Sequence, residues 1–185
     1  MIGRQALTPD RDTRSRRDGR TLPIGVHCAS GHGSTLLSAF DAALLGAGVA
    51  NYNLVRLSSV IPRQAVIERD PEPVTGSHGD RLYCVYAAAY AEHPGESAWA
   101  GIGWVRDETG QGLFVEHETA SEESLLEMIH LSLADMNRNR GGRFGPVETA
   151  VASAHYEDQP ACALVVASYA VASWDEFGVE TGSGR

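Results

Sequence analysis

The order of elements legible in the sequence predicts a single α/β (α+β) domain. Its expected form is a sandwich of mostly antiparallel β-sheet with covering helices, αββα-like in its layering. Three observations carry this. Two apolar patterns with three- and four-residue spacing, one from Thr35 and one from about Ser121, read as amphipathic helices. Arg81–Ala91, Ser97–Arg106 and Ala161–Ser173, rich in Val, Ala, Tyr and Trp, read as long strands. Several of these strands stand only a turn apart, which suits antiparallel pairing.

In chain order, Pro23–Cys28 reads as the first strand and Ala29–Ser34 as a Gly-rich loop. Leu36, Leu37, Phe40, Ala43, Leu44 and Ala47 then form one face of a helix that Gly46 and Gly48 end. Asn51–Ser58 reads as a strand stopped by Pro62, and the Pro- and Gly-bearing stretch from about Glu68 to Asp80 as a loop. The pair Arg81–Ala91 and Ser97–Arg106 turns at Pro94-Gly95, and Gly112–His117 is the next strand. Thr119-Ala-Ser-Glu122 has the form of a capping box, with Ser121 as the alternative cap. The second helix runs to about Arg140, buries Leu125, Leu126, Met128, Ile129, Leu133 and Met136, and stops at Gly141-Gly142. Strands near Val147–His155 and Ala161–Ser173 complete a domain placed at residues 22–175. An Arg-rich leader over residues 1–21 and a tail over 176–185 read as loose.

A net charge of -9 argues against a nucleic-acid partner, whose phosphates need a basic face. No run is apolar and long enough to span a bilayer. Cys28, Cys84 and Cys162 make an odd count without a CxxC pair and sit among apolar neighbours. They read as buried thiols in a reducing, cytoplasmic compartment. None of the seven histidines has the HxxxH or HExxH spacing of a metal site, so no metal is expected. Gly33-Ser34-Thr35 lacks the lysine of a phosphate-binding loop, and no GxGxxG follows the first strand, so no nucleotide is expected either.

The richest segment is GHGSTLLSAFDAALLGAGVANYNLVRLSSVIP, residues 31–62. Asp41 stands out in an apolar helix, either on a solvated face or as a carboxylate that binds a cation. Ser58-Ser59 ends a strand without the GxSxG elbow of a serine hydrolase. Asn53 and Glu116 read, on their own, as a strand-end amide and an exposed strand acid. Glu96, in Pro94-Gly95-Glu96, reads as a turn carboxylate or a pocket residue.

This segment resembles the pyruvoyl-dependent arginine decarboxylases. The likeness rests on Gly33, Thr35, Leu37, Ala39-Phe40-Asp41, Ala43-Leu44, Ala47-Gly48, Asn51, Asn53-Leu54 and Arg56-Leu57-Ser58-Ser59-Val60-Ile61-Pro62. Pro94-Gly95-Glu96-Ser97, Gly112-Leu113 to Glu116, and His155 with Cys162-Ala163 extend it over Ile24 to Trp174. The chain has Arg63 where the family often has a second proline, and Ser38 where asparagine is common.

The resemblance implies a proenzyme that cuts itself between Ser58 and Ser59 into a β chain, 1–58, and an α chain, 59–185. Ser59 would become a covalent pyruvoyl group, the only cofactor expected. L-Arginine would bind it as a Schiff base and leave as agmatine and CO2. Asn53 would assist the cut, Glu116 would return the proton, and Asp41 would face the substrate's guanidinium. His32 and His117 are placed near this site without a role. The assembly implied is a homotrimer of cut αβ protomers with sites between subunits. Decarboxylation of another amino acid, or an uncut binding or scaffold homologue, are the other readings.

Overall fold

The computed structural model describes residues 21–69 and 71–174. The expected tail lies outside these, and so does the expected leader apart from Thr21. The elements are β1 (Leu22–His32), α1 (Leu36–Gly46), β2 (Asn53–Arg56), β3 (Val60–Ile61), β4 (Ala65–Arg69), β5 (Arg81–Ala91), β6 (Ser97–Arg106), β7 (Gly112–Thr119), α2 (Glu122–Asn139), β8 (Glu148–His155) and β9 (Ala161–Ala172). One sheet has the order β2-β5-β9-β1-β4 and the other β3-β7-β6-β8. Antiparallel pairing prevails; only the edge strands β2 and β4 run parallel to their neighbours β5 and β1.

The two sheets face one another, and each carries a helix on its outer side, which is the expected α–β–β–α layering. Ile24, Val26, Val85, Val165 and Tyr169 of the first sheet meet Ile102, Trp104 and Phe114 of the second. Towards one end the same interface is lined by alanines: Ala87, Ala89, Ala91, Ala161 and Ala163 against Ala98, Ala100 and Ala154. Outside, Ala39 and Ala43 of α1 pack on Cys84, Cys162, Leu164 and Val166. On the other side Leu125, Ile129 and Leu133 of α2 pack on Val105, Leu113 and Val115. Strand β9 is thus covered on both faces, which is why its sequence is apolar almost throughout, Ser168 apart, and does not alternate.

Several boundaries differ from the sequence reading. The Gly-rich stretch expected as a loop is mostly strand, since β1 continues to His32. Gly31 is there for close packing: a Cβ on it would lie 2.3 Å from the backbone nitrogen of Ala43 and 2.6 Å from the Ala39 carbonyl oxygen. Gly103 in β6 admits α2 in the same way, a Cβ there falling 2.1 Å from Ile129 Cγ2. The strand expected over Asn51–Ser58 is paired only from Asn53 to Arg56. Strand β4 was not expected, and its last two residues fall in the loop read from about Glu68; its stability comes from parallel pairing with β1, a long-range partner that local pattern does not reveal. Strand β7 runs two residues further than expected, and Ser121, not Thr119, caps α2 by accepting from Ser124 N–H. Met128 is exposed, outside the stripe that α2 buries. Cys28 is exposed as well: it follows Ile24 and Val26 on the face of β1 turned to the second sheet, at an opening lined by Arg69 and Thr149; Cys84 and Cys162 are buried as expected. Ser38, a departure from the family pattern, has a local purpose. It completes a reciprocal cap on α1, accepting from Thr35 N–H while Thr35 Oγ1 accepts from Ser38 N–H.

Gly31→Val therefore forces α1 away from β1. The expected loss is about 1–3 kcal/mol, as for other overpacked interiors, read as a lower midpoint in denaturant unfolding.

Candidate functional site

The site forms where the chain passes from one sheet to the other. β2 ends at Arg56 in the first sheet and β3 begins at Val60 in the second, so Leu57, Ser58 and Ser59 make the crossing. Both ends are fastened. Leu57 N–H donates to the Cys84 carbonyl (2.9 Å), and Phe114 N–H donates to the Ser59 carbonyl (2.8 Å). The Tyr169 hydroxyl, from β9, donates to the Val60 carbonyl (3.2 Å). With its ends so pinned, the short crossing puts Ser59 at φ 66°, a left-handed conformation that costs a serine about 1–3 kcal/mol.

The same geometry aims the Ser59 side chain. Its hydroxyl donates to Glu116 Oε1 at 2.7 Å. Glu116 follows Phe114 by two residues on β7, so both side chains point into the space between the sheets. The other carboxyl oxygen, Oε2, lies 3.9 Å from the Arg56 guanidinium. Arg56 in turn donates to the Tyr86 carbonyl (3.1 Å) and stacks 4.8 Å over the Tyr86 ring.

Burial is the main influence on Glu116 and holds its carboxyl above the ordinary range. The Ser59 hydroxyl, the Arg56 guanidinium and His117 oppose it, in that order. Burial also pushes the neighbouring Cys84 thiol up to about 11, and raises the Tyr169 phenol further. The site is thus a protonatable carboxyl against a strained serine, in surroundings that disfavour charge.

Of the residues singled out from sequence, the fold brings together Ser58, Ser59 and Glu116. Asn53 stands at the far end of β2, exposed, with its amide donating to the Gly79 carbonyl (2.6 Å). Asp41 is exposed on α1, which packs on the side of the first sheet away from Glu116. Glu96 caps its own turn by accepting from the Glu92 and His93 N–H groups. Two placements need correction. His117 points to the other face of β7, where its ring pairs with Ser132 of α2, and His32 pairs with the His155 carbonyl at the end of β1. Sequence reasoning gave no role to Arg56, Tyr86, Phe114 or Tyr169. Arg56 was the legible one, since it lies three residues before Ser59 within the motif. Among the described residues, no group of three or more His, Cys, Asp or Glu side chains is arranged to hold a metal ion, and no helix is long and apolar enough to cross a membrane.

Fold and site together define a four-layer α+β protein whose candidate reacting group is a serine of its own inter-sheet crossing. Comparison with known proteins gives this class a family. Residues 24–174 match the profile of the pyruvoyl-dependent arginine decarboxylases. A protein of that name from Thermococcus kodakarensis is 37% identical over 144 residues, 76% of this chain and 90% of the relative. One from Halobacterium salinarum is 35% identical over 150 residues, 79% of this chain and 92% of the relative. One from Methanocaldococcus jannaschii is 30% identical over 148 residues, 78% and 87% respectively. The chain belongs to the pyruvoyl-dependent arginine decarboxylase family.

The raised Glu116 pKa has a consequence for stability. A carboxyl that titrates higher in the fold than in the unfolded chain makes the fold lose stability as pH rises from its unfolded to its folded pKa. Glu116→Gln lacks that loss. Its stability relative to wild type should therefore be greater at pH 7 than at pH 4, measured by denaturant unfolding at the two pH values; an unchanged difference would contradict the burial argument.

Proposed function

We propose that the protein is a self-processing decarboxylase that converts L-arginine to agmatine and CO2, with a pyruvoyl group made from Ser59. The observation that carries this is the Ser59 turn. A left-handed serine, with its carbonyl held by Phe114 and its hydroxyl held by a half-buried carboxyl, has the strain and orientation that self-cleavage needs. In this reading the Ser59 hydroxyl adds to the Ser58 carbonyl carbon. The C–N bond between the residues then gives way to an ester. Elimination across Ser59 frees the Ser58 carboxylate as a new C-terminus, and water removes the nitrogen of residue 59 as ammonia.

The residues present fit the pyruvoyl group: the position that would carry it faces Glu116, and the crossing places it at a new chain start. When present, the group supplies the electron sink for the pair left by departing CO2. Glu116 holds the proton that is returned to the substrate carbon, and its raised pKa keeps that proton bound at higher pH than an ordinary glutamate would. Activity should therefore decline as pH rises through the Glu116 titration.

Asp41 binds the guanidinium end of arginine, a bidentate partner for a carboxylate, and Asn53 assists the cut. Both lie away from Ser59 within one chain, so in this reading a neighbouring subunit completes the site, in a homotrimer of cut protomers. Leu37, Asp41 and Leu45 are spaced four apart on one stripe of α1; the two leucines are 76% and 61% exposed, and Val60 beside Ser59 is 55% exposed. An apolar stripe flanking a substrate carboxylate suits a face covered by another copy. The buried Cys84 and Cys162 thiols suit a reducing, cytoplasmic setting.

Intact mass spectrometry tests the proposal. Active wild-type protein should appear as fragments 1–58 and 59–185, the second with a keto-capped start, and Ser59→Ala as one inactive, uncut chain. An uncut wild type that still releases CO2 from arginine would refute it. Asp41→Asn should be cut normally yet show a KM for arginine raised about tenfold or more, the loss of a charged hydrogen bond.

A further inference from the structure

Arg56 is the one member of the Ser59–Glu116 group without a role, and it does not meet Glu116 by chance of reach. It is the last residue of β2, in register with Cys84 of β5. Beyond that point, among the described residues, no strand pairs with β5 on this side, and the guanidinium takes up the Tyr86 carbonyl at 3.1 Å while lying on the Tyr86 ring at 4.8 Å. The ring is backed by Phe40 of α1, with centroids 6.1 Å apart. A guanidinium so seated is fixed in plane and distance, which its fork of donors allows and a lysine's point charge does not. From this seat it approaches Glu116 Oε2 at 3.9 Å, while Oε1 takes the Ser59 hydroxyl at 2.7 Å.

We propose that Arg56 is a positioning residue: anchored on Tyr86, it holds one oxygen of Glu116 so that the other faces residue 59. The inference rests on the functional reading above. The side chain of Arg56 is 51% exposed, so the ion pair itself is weak and its value lies in orientation. It also supplies the positive charge that opposes burial at Glu116. The groups facing this carboxyl are Arg56 from β2, Ser59 from the crossing and Tyr169 from β9, with Glu118 on the same face of its own strand and His117 on the other. Burial holds Tyr169 protonated, so Arg56 is the cation that approaches the carboxyl oxygens.

The test compares cut wild type, Arg56→Met and Arg56→Lys for kcat and KM as functions of pH. Arg56→Met should lose about tenfold in kcat through misorientation of the proton donor, with KM within about twofold. Its alkaline limb should move to higher pH, because a cation favouring the carboxylate is gone. Arg56→Lys should recover part of kcat and most of the original limb. Unchanged kcat and limb, or a loss confined to KM, overturns the proposal. Should Arg56→Met resist cutting, carbon-13 titration of Glu116 in Ser59→Ala, with and without Arg56→Met, decides it. Glu116 should titrate at higher pH without the guanidinium, and coincident curves overturn the contact. Wild type that releases no CO2 from arginine defeats the functional reading instead, and leaves the titration to judge Arg56 alone.

Discussion

The fold turns on the hydrogen bond from Phe114 N–H to the Ser59 carbonyl. It is the first tie the chain makes to the second sheet after leaving the first, and it fixes where the crossing lands. Everything particular about the site follows from it. With Leu57 already committed to Cys84, the landing point leaves only Ser58 and Ser59 to span the gap, and Ser59 absorbs the bend in its φ. The same strand that receives the crossing carries Glu116 two residues on, so landing and carboxyl are set by one register. A shift of β3 by a single residue would turn the hydroxyl away from Glu116.

The surroundings explain why such a site keeps its shape. Tyr169 braces Val60 from the middle strand of the first sheet, and the Phe114 ring meets those of Trp104 and Tyr169 edge to face. Bulky rings fill the space between the sheets at this end, whereas alanines line it at the other. Strain at Ser59 is in this sense a property of the whole core.

Much of this was legible in the sequence, for reasons that differ by element. The strands β5 and β6 match their expected bounds because dense apolar runs end abruptly at Pro94-Gly95 and at the polar turn after Arg106. Both helices were legible from the spacing of their apolar residues. Strand β4 was not, since Ala65-Val66-Ile67 is short and its partner β1 lies some forty residues earlier. Gly31 misled because a glycine that makes room for a helix looks, in sequence, like one that makes a turn. At the site, Ser59 and Glu116 were found through family likeness and the fold unites them. Arg56 was overlooked although it stands in the same motif, because its importance comes from the ring and carbonyl of Tyr86, thirty residues away. The separation of Asp41 and Asn53 from Ser59 could not be read at all, since it depends on layer order.

The placement of β1 has a further consequence. It lies between β9 and β4, held on both sides by strands that follow the crossing in the chain. A backbone severed at residue 58 would leave two polypeptides interleaved like the fingers of clasped hands, neither able to withdraw without opening the sheet. Melting such a body is also a dissociation, so its recovery would hinge on the halves meeting again and would become a matter of concentration. A cut at that point would thereby forfeit the easy refolding of a single thread.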